Sequence, residues 1–287
     1  MTVNKIGIII GVQKGGTSSL FKYLSQHPQV SECKIKETDF FLKDSKWTQG
    51  FEYYEDLWEW DPKKHLVALE ASPNYTVSFN AVTTTIQRIQ TIDREFKFIY
   101  ILRDPIQKIE SMRVQGTYHG WYSPLLAKET LDNVPLEVIE SVRYATIADK
   151  FTQSFSKDSL LLLKTDGLNR KNSPELLMNE ACRFLDIDSS FKFNLETIHN
   201  ARNSYRKDTA WKFLTEAKYA EYLRNVWKIF PTSLKENART FLKKPFNKQK
   251  VVPPLTKEQK EFIRDALKDE VRKLELEYEL NLASWNL

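Results

Sequence analysis

The chain has 287 residues, enough to bury a sizeable core, and 43 Lys and Arg against 38 Asp and Glu give a formal net charge of +5. This mild balance favours a small anionic ligand, so we expect no nucleic-acid partner. Two cysteines and four histidines predict neither a disulfide framework nor a zinc site. With no leader segment and no apolar run of about 18 residues, we expect a soluble, cytoplasmic protein without a membrane span.

The stretch 6–20, IGIIIGVQKGGTSSL, predicts a buried parallel strand, a glycine-rich turn and a helix over residues 17–26. The glycines allow the backbone to turn its N–H groups inward, and the helix N-terminus adds partial positive charge. A lysine and two hydroxyls complete a site suited to phosphate. The contributing residues are Gly11, Lys14, Gly15, Gly16, Thr17 and Ser18.

The position of the lysine leaves the type of loop open. In the nucleoside-triphosphatase pattern G-x-x-x-x-G-K-[ST] the lysine follows the second glycine, whereas here Thr17 follows Gly16 and Lys14 lies inside the loop. The dinucleotide fingerprint G-x-G-x-x-G is absent. A tight turn that binds no ligand is the remaining alternative.

The segment KETDFF at 36–41 places two charges before an aromatic pair. It is either a surface turn anchored by Phe40 and Phe41, or a carboxylate, Glu37, held beside the phosphate loop. In the second case apolar surroundings would raise the pKa of Glu37, as a general base requires. The aromatic-rich stretch 47–60 indicates core packing of a small subdomain, with an aromatic sugar groove as the alternative.

Further strands are predicted at 66–69, 97–102 and 160–164, each ending in polar residues. The second of these precedes Arg103, with Ser111 about two turns along the next helix, and the pair can converge on a second phosphate. An ion pair of Arg103 with Asp104 or Glu110 is the alternative. Polar residues at the carboxyl ends of parallel strands predict a site at that edge of the sheet.

The rest of the chain is predicted to be mainly helical. Helices are expected at 81–92, 135–155, 173–185 with Ser173 as its N-cap, and 256–278, and an irregular binding loop or lid at 114–135. The alternation of strands and helices predicts an α/β fold with a central, mostly parallel sheet flanked by helices and a largely helical C-terminal third. We expect a single domain over 1–287, with the sheet core in 1–170 and a mainly helical part in 171–287.

Together these segments resemble sulfotransferases that use 3′-phosphoadenosine-5′-phosphosulfate (PAPS). Residues 13–20, QKGGTSSL, resemble the family's 5′-phosphosulfate loop, and Arg103 with Ser111 resembles its 3′-phosphate site. Residues 36–41 are similar to the K-E-x-x-F-F segment of the heparan-sulfate-modifying branch and its bacterial relatives, which carries the catalytic glutamate. Residues 70–75, EASPNY, are similar to its E-K-[ST]-P-x-Y segment.

The resemblance implies a P-loop-like sulfotransferase fold, PAPS as donor, the bisphosphate PAP as product, and no metal. It implies Glu37 as general base and Lys14 as a catalytic cation. Substrate contacts would come from Lys36, Glu70 and Tyr75. His119, in the predicted irregular segment, could also contact a substrate, with a solvent-facing histidine as the alternative. The implied donor-binding residues are Gln13, Lys14, Gly15, Gly16, Thr17, Ser18, Ser19, Arg103, Ser111, Arg206 and Lys207.

Three positions depart from the family pattern: Ala71 replaces a lysine, Lys108 replaces a common arginine, and Arg113 stands where an aromatic residue is often seen. A P-loop nucleotide kinase or NTPase, which would need ATP and magnesium, remains an alternative, as does a non-catalytic anion-binding module. The acceptor, a small molecule, a saccharide or a carrier-bound chain with a hydroxyl or amine, is not predicted, nor is the oligomeric state.

Overall fold

Five parallel strands form the centre of the fold in the computed structural model, which describes residues 3–119, 136–169, 172–196, 254–285 and 287. They pair in the order β2-β3-β1-β4-β5, and every neighbouring pair is parallel. The predicted α/β fold with a parallel sheet is therefore confirmed. The strands are β1 Lys5–Gly11, β2 Val30–Glu32, β3 Val67–Ala71, β4 Glu95–Leu102 and β5 Leu160–Lys164.

Strand β1 lies at the middle of the sheet because its apolar residues are covered on both faces. Ile6, Ile8 and Ile9 are fully buried, as parallel strands with helices on each side require. After β1 the chain forms β2 and β3 on one side of it, and then β4 and β5 on the other. This reversal opens a crevice at the carboxyl end of β1, where open α/β sheets bind ligands.

Helices follow the strands and cover the sheet. Within the described residues no helix is both long and apolar enough to cross a bilayer. The helices are α1 Thr17–Leu24, α2 Asp44–Trp47, α3 Gly50–Glu55, α4 Phe79–Ile89, α5 Pro105–His119, α6 Leu136–Glu140, α7 Tyr144–Ser154, α8 Pro174–Phe184 and α9 Lys257–Glu277.

Helix α9 begins at a capping box. The Thr256 hydroxyl accepts from the Gln259 N–H at 3.2 Å, and the Gln259 side chain accepts from the Thr256 N–H at 3.0 Å. The apolar face of the helix buries Ile263, Leu267 and Leu274, whereas Phe262 is exposed. The helical character of the C-terminal segment is confirmed there. The extent of a single domain over 1–287 stays a prediction.

The aromatic stretch 47–60 packs into the core, as predicted. Tyr54 stacks on Phe40 with ring centroids 4.5 Å apart and meets Trp58 edge-on at 4.8 Å, and all three rings are buried. Aromatic contacts of this kind anchor the segment 36–41 in the core through Phe40 and Phe41. The rings of these two residues meet edge-on, with centroids 5.0 Å apart.

Four sequence predictions of secondary structure are corrected. Strand β2 was missed because it has three residues and no apolar alternation. Helix α5 extends to His119, into the predicted irregular segment 114–135. The single helix predicted over 135–155 is interrupted after Glu140, where the Ser141 hydroxyl donates to the Val138 carbonyl at 2.7 Å. Ser173 has a left-handed φ of 54° and makes no side-chain cap.

Candidate active site

A tight backbone turn joins β1 to α1 and contains the predicted phosphate-binding residues. Lys14 has a φ of 65°, and Gly16, with a φ of 93°, is the N-cap of α1. Glycine offers no side chain to cap the helix, so the first-turn N–H groups have no side-chain acceptor from the cap residue, and the Ser19 N–H donates to the Gly16 carbonyl at 3.0 Å. This is the arrangement in which a helix N-terminus binds an anion.

The loop is closely packed against β4. A Cβ added at Gly15 would lie 2.6 Å from Cγ2 of Val12 and 2.8 Å from the Ile101 carbonyl oxygen, so only glycine fits without a shift. The Val12 N–H donates to that same Ile101 oxygen at 2.8 Å. The Thr165 hydroxyl, at the end of β5, lies 2.6 Å from the Gly15 carbonyl oxygen. The sequence analysis did not include Thr165 among the residues of the site. Its position directly after β5, at the carboxyl end of a parallel strand, could have indicated it.

Arg103 follows β4 and contacts the phosphate loop directly. Its Nη1 donates to the Lys14 carbonyl oxygen at 2.9 Å, and its own carbonyl accepts from the Tyr144 hydroxyl at 2.9 Å. The structure thus brings Arg103 to the loop across 89 residues of sequence. Glu110, an alternative partner for Arg103, pairs with Lys260 at 3.4 Å.

Helix α5 begins beside Arg103 as the sequence predicts. Asp104 accepts from the Gln107 N–H at 3.0 Å, which caps the helix, and Pro105 occupies its first position. Ser111 lies on this helix with its side chain half-buried. His119 is the last residue of α5, and its side chain falls outside the described residues, as do Arg206 and Lys207.

Glu37 lies at the carboxyl end of β3, because its N–H donates to the Ala71 carbonyl at 3.0 Å. Its φ of 62° turns the side chain outward, where it is 46% exposed and forms an ion pair with Lys36. The apolar surroundings predicted for Glu37 are therefore wrong. The aromatic pair Phe40 and Phe41 packs into the core and leaves the carboxylate open to the crevice side.

Glu70 on β3 is a fully buried acid of this region. One carboxylate oxygen accepts from the Thr38 and Tyr75 hydroxyls, each at 2.9 Å, and the other accepts from the Tyr54 hydroxyl. Burial raises the pKa of Glu70, an effect that these hydrogen bonds partly offset. Since both oxygens are bonded inside the protein, the substrate contacts predicted for Glu70 and Tyr75 do not fit this structure.

A second polar group, missed by sequence reasoning, lies between the loop and the Glu37 turn. The Asn74 side-chain NH₂ donates to both oxygens of Asp39 at 3.0 Å, and its oxygen accepts from the Gln13 side chain. Asp39 and Asn74 occupy motif positions that the family pattern leaves unspecified. Among the described residues no cluster of His, Cys, Asp and Glu suits a metal ion.

A glycine-rich loop follows the central strand β1 at the switch point of the sheet, with an arginine at the end of β4 and a carboxylate at the end of β3, an arrangement suited to group transfer. The profile of the family described as "Sulfotransferase domain" matches residues 6–275, and the chain belongs to this family.

Its relatives include heparan sulfate glucosamine 3-O-sulfotransferase 5 of Mus musculus, 25% identical over 190 residues, which are 63% of this chain and 53% of the relative. Heparan sulfate glucosamine 3-O-sulfotransferase 3B1 of the same species is 35% identical over 103 residues, 35% of this chain and 24% of the relative. The chain therefore spans at most about half the length of these curated relatives. The crystal structure of a sulfotransferase from Alicyclobacillus acidocaldarius shares the fold, with a TM-score of 0.56, 19% identity, and coverage of 77% of this chain and 96% of that one.

Proposed function

We propose that the chain transfers the sulfuryl group of PAPS to a hydroxyl or amine of an acceptor, with Glu37 as general base. The observation that carries the proposal is the contact of Arg103 with the main chain of Lys14, because it joins an arginine to the phosphate loop at one edge of the sheet. Glu37 follows β2 in the chain and lies at the carboxyl end of β3, the strand on the other side of β1, through the hydrogen bond of its N–H to the Ala71 carbonyl. Two anion-binding groups and a base thus converge on one crevice.

The residues present fit a donor with two phosphate groups. We assign the 5′ side to main-chain N–H groups at the start of α1 and to the Lys14 ammonium, while Arg103 and Ser111 suit the 3′-phosphate. PAPS bound there supplies an activated sulfuryl group. Lys14 offsets the negative charge that grows on the leaving phosphate oxygen, an electrostatic contribution that in-line group transfer requires. The loop residues in these roles are Gln13, Lys14, Gly15, Gly16, Thr17, Ser18 and Ser19.

Glu37 takes the proton of the attacking hydroxyl or amine. Its exposure leaves the carboxylate accessible to an acceptor, and the ion pair with Lys36 fixes its direction. Arg206 and Lys207 are proposed to contact the donor, and Lys36 and His119 the acceptor. The names of the relatives state that they act on heparan sulfate glucosamine, so we propose a saccharide as the first acceptor class to test.

Calorimetry with PAP and with ATP–Mg²⁺ tests the donor assignment. We expect PAP to bind without magnesium, and Lys14→Ala to weaken this binding while Lys34→Ala, an exposed lysine, leaves it unchanged. Binding of ATP–Mg²⁺ in place of PAP would instead favour a kinase. Incubation with PAPS and saccharide, small-molecule and carrier-bound acceptors, followed by mass spectrometry, tests the transfer. PAP binding with no sulfated product from any class would favour a non-catalytic module.

A further inference from the structure

The side chain of Asn74 bridges two segments that reach the site from different strands. Asn74 lies in a short 3₁₀ helix, Pro73–Thr76, that follows β3. Its amide accepts from the Gln13 side chain and donates to both oxygens of Asp39 at 3.0 Å. Gln13 belongs to the phosphate loop, next to Lys14, whereas Asp39 lies two residues after Glu37. The bridge therefore runs from the donor half of the site to the base half.

The chemistry of the three side chains fixes their orientation. An ionised carboxylate only accepts hydrogen bonds, so the NH₂ group of Asn74 must face Asp39. The Asn74 oxygen then faces Gln13, and the Gln13 side chain must present its NH₂ group. The side-chain amides of Asn74 and Gln13 thus each have a single orientation, which the Asp39 carboxylate determines.

Asp39 is itself held firmly, which makes it an effective anchor. Its side chain is 2% exposed, its N–H donates to the Ser72 hydroxyl at 3.1 Å, and Lys43 pairs with its carboxylate at 2.6 Å. Loss of the Asn74 amide would remove from a buried carboxylate the NH₂ group that contacts both of its oxygens, which is costly. A displacement of Gln13 is therefore transmitted to the turn that carries Glu37.

We propose that Asn74 is a positioning residue that couples the phosphate loop to the Glu37 turn, so that an occupied donor loop holds the base in place. This inference rests on the proposed function of Glu37 and of the loop. It applies to the Asp39 and Asn74 of this chain, at positions where the family motifs allow any residue.

Hydrogen exchange tests the coupling without knowledge of the acceptor. In the native chain we expect PAP to slow amide exchange in the peptide covering residues 36–41. Asn74→Ala should abolish this protection while PAP still binds, and should lower the transfer rate about tenfold, the effect of losing roughly 1.4 kcal/mol of hydrogen bonding. Gln90→Ala is the control, because the Gln90 amide also donates a hydrogen bond, to the Ser154 carbonyl at 3.1 Å, and its described hydrogen bonds involve neither the loop nor the Glu37 turn.

An exchange of the two residues provides a rescue. Asn74→Asp alone places a second carboxylate against that of Asp39. Because the two groups repel each other, this variant should lose the protection. Adding Asp39→Asn should restore it, because the new amide at position 39 donates to the new carboxylate at position 74, which still accepts from Gln13. Gln13→Ala removes the contact between Gln13 and the Asn74 oxygen. It provides a second test of the bridge if a variant at position 74 does not fold.

The outcomes separate the two proposals. A native chain that fails to bind PAP overturns the proposed function and this coupling with it. A native chain that binds PAP, with equal protection of 36–41 in Asn74→Ala, Gln13→Ala and the control, overturns the coupling alone. Loss of protection in both single variants and its return in the exchanged pair supports the coupling.

Discussion

The guanidinium of Arg103 donates a hydrogen bond to the main-chain oxygen of Lys14 at 2.9 Å. This contact joins the end of β4 to the loop that follows β1, so the two anion-binding groups share one rigid frame. The Thr165 hydroxyl adds a third strand end, because it lies 2.6 Å from the Gly15 carbonyl oxygen. Groups at the ends of three adjacent parallel strands, β1, β4 and β5, thus meet at this loop.

Arg103→Ala is expected to weaken PAP binding by roughly ten- to a hundredfold, since a charge-assisted hydrogen bond contributes about 1.5–3 kcal/mol. Calorimetry measures the change. Arg88→Ala is the control, because Arg88 pairs with Asp44 and lies over Trp47. Equal losses in both variants would show that a general loss of charge, rather than the site, is responsible.

Glu37→Gln is expected to lower the transfer rate by about two to four orders of magnitude while PAP binding is kept, because general base catalysis contributes that much. Rapid-quench measurement of product and calorimetry with PAP report the two quantities. Glu59→Gln, at a largely exposed glutamate paired with Lys34, should leave both unchanged. A wild-type rate in Glu37→Gln would refute the base assignment.

Gly16→Ala is expected to destabilise the fold by about 1–2 kcal/mol, because its φ of 93° is left-handed. Gly50→Ala is a matched control: its φ of 83° carries the same strain, but no atom lies within 4 Å of an added Cβ. At position 16 the added Cβ would lie 2.9 Å from Leu168, so PAP binding should fall only there. Urea unfolding and calorimetry separate strain from binding, and equal PAP affinity in both variants would contradict the loop assignment.

Glu70→Gln is expected to change how stability depends on pH. Burial raises the folded-state pKa of Glu70 above its ordinary value of 4.5, so the folded state holds the proton more tightly than the unfolded state. The resulting stabilisation is complete below that ordinary value and is lost as pH rises through the folded pKa. The free energy of unfolding of the native chain should therefore fall, relative to Glu70→Gln, as pH rises from about 4.5 through the raised folded-state pKa. If the unfolding free energies of the native chain and of Glu70→Gln changed with pH in parallel, the raised pKa of Glu70 would be contradicted.

Lys108→Met should show the opposite slope. Burial lowers the pKa of Lys108 from 10.5 to about 7, and its ammonium meets only the carbonyl and hydroxyl oxygens of Ser141, at 2.8 and 2.6 Å, among its described hydrogen bonds. Stability linked to this group is complete above 10.5 and is lost as pH falls toward about 7. The native chain should gain unfolding free energy relative to Lys108→Met as pH rises across that range, measured by urea unfolding. A constant difference would show that Lys108 titrates normally.

The sequence predicts the parallel sheet and the position of the site because both depend on local signals. Apolar runs mark four of the strands, and the rule that parallel strands end at one edge brings Lys14 and Arg103 together. Glu37 follows the missed strand β2, so only the segment KETDFF and its resemblance to the family motif indicate its place. The short strand β2 carries no such signal, since it is recognised only by its pairing with β3.

The environment of each carboxylate could not be predicted from local pattern. Glu37 points outward because its backbone is left-handed, whereas Glu70 is buried because it lies inside the apolar strand VALEA. An acidic residue within an otherwise apolar strand was the usable signal for Glu70. The contact of Asn74 with Asp39 spans 35 residues, and no local pattern encodes it.

The left-handed backbone at Glu37 and Asp39, with φ of 62° and 50°, restricts which sequences this turn can accept. Asparagine, aspartate and glycine adopt that conformation most readily, and β-branched residues do so rarely. In a library randomised at position 37, residues that disfavour the left-handed backbone would be lost first. Residues that cannot act as a base would be lost next. Selection for a new base at this position should return aspartate more often than any β-branched or bulky replacement.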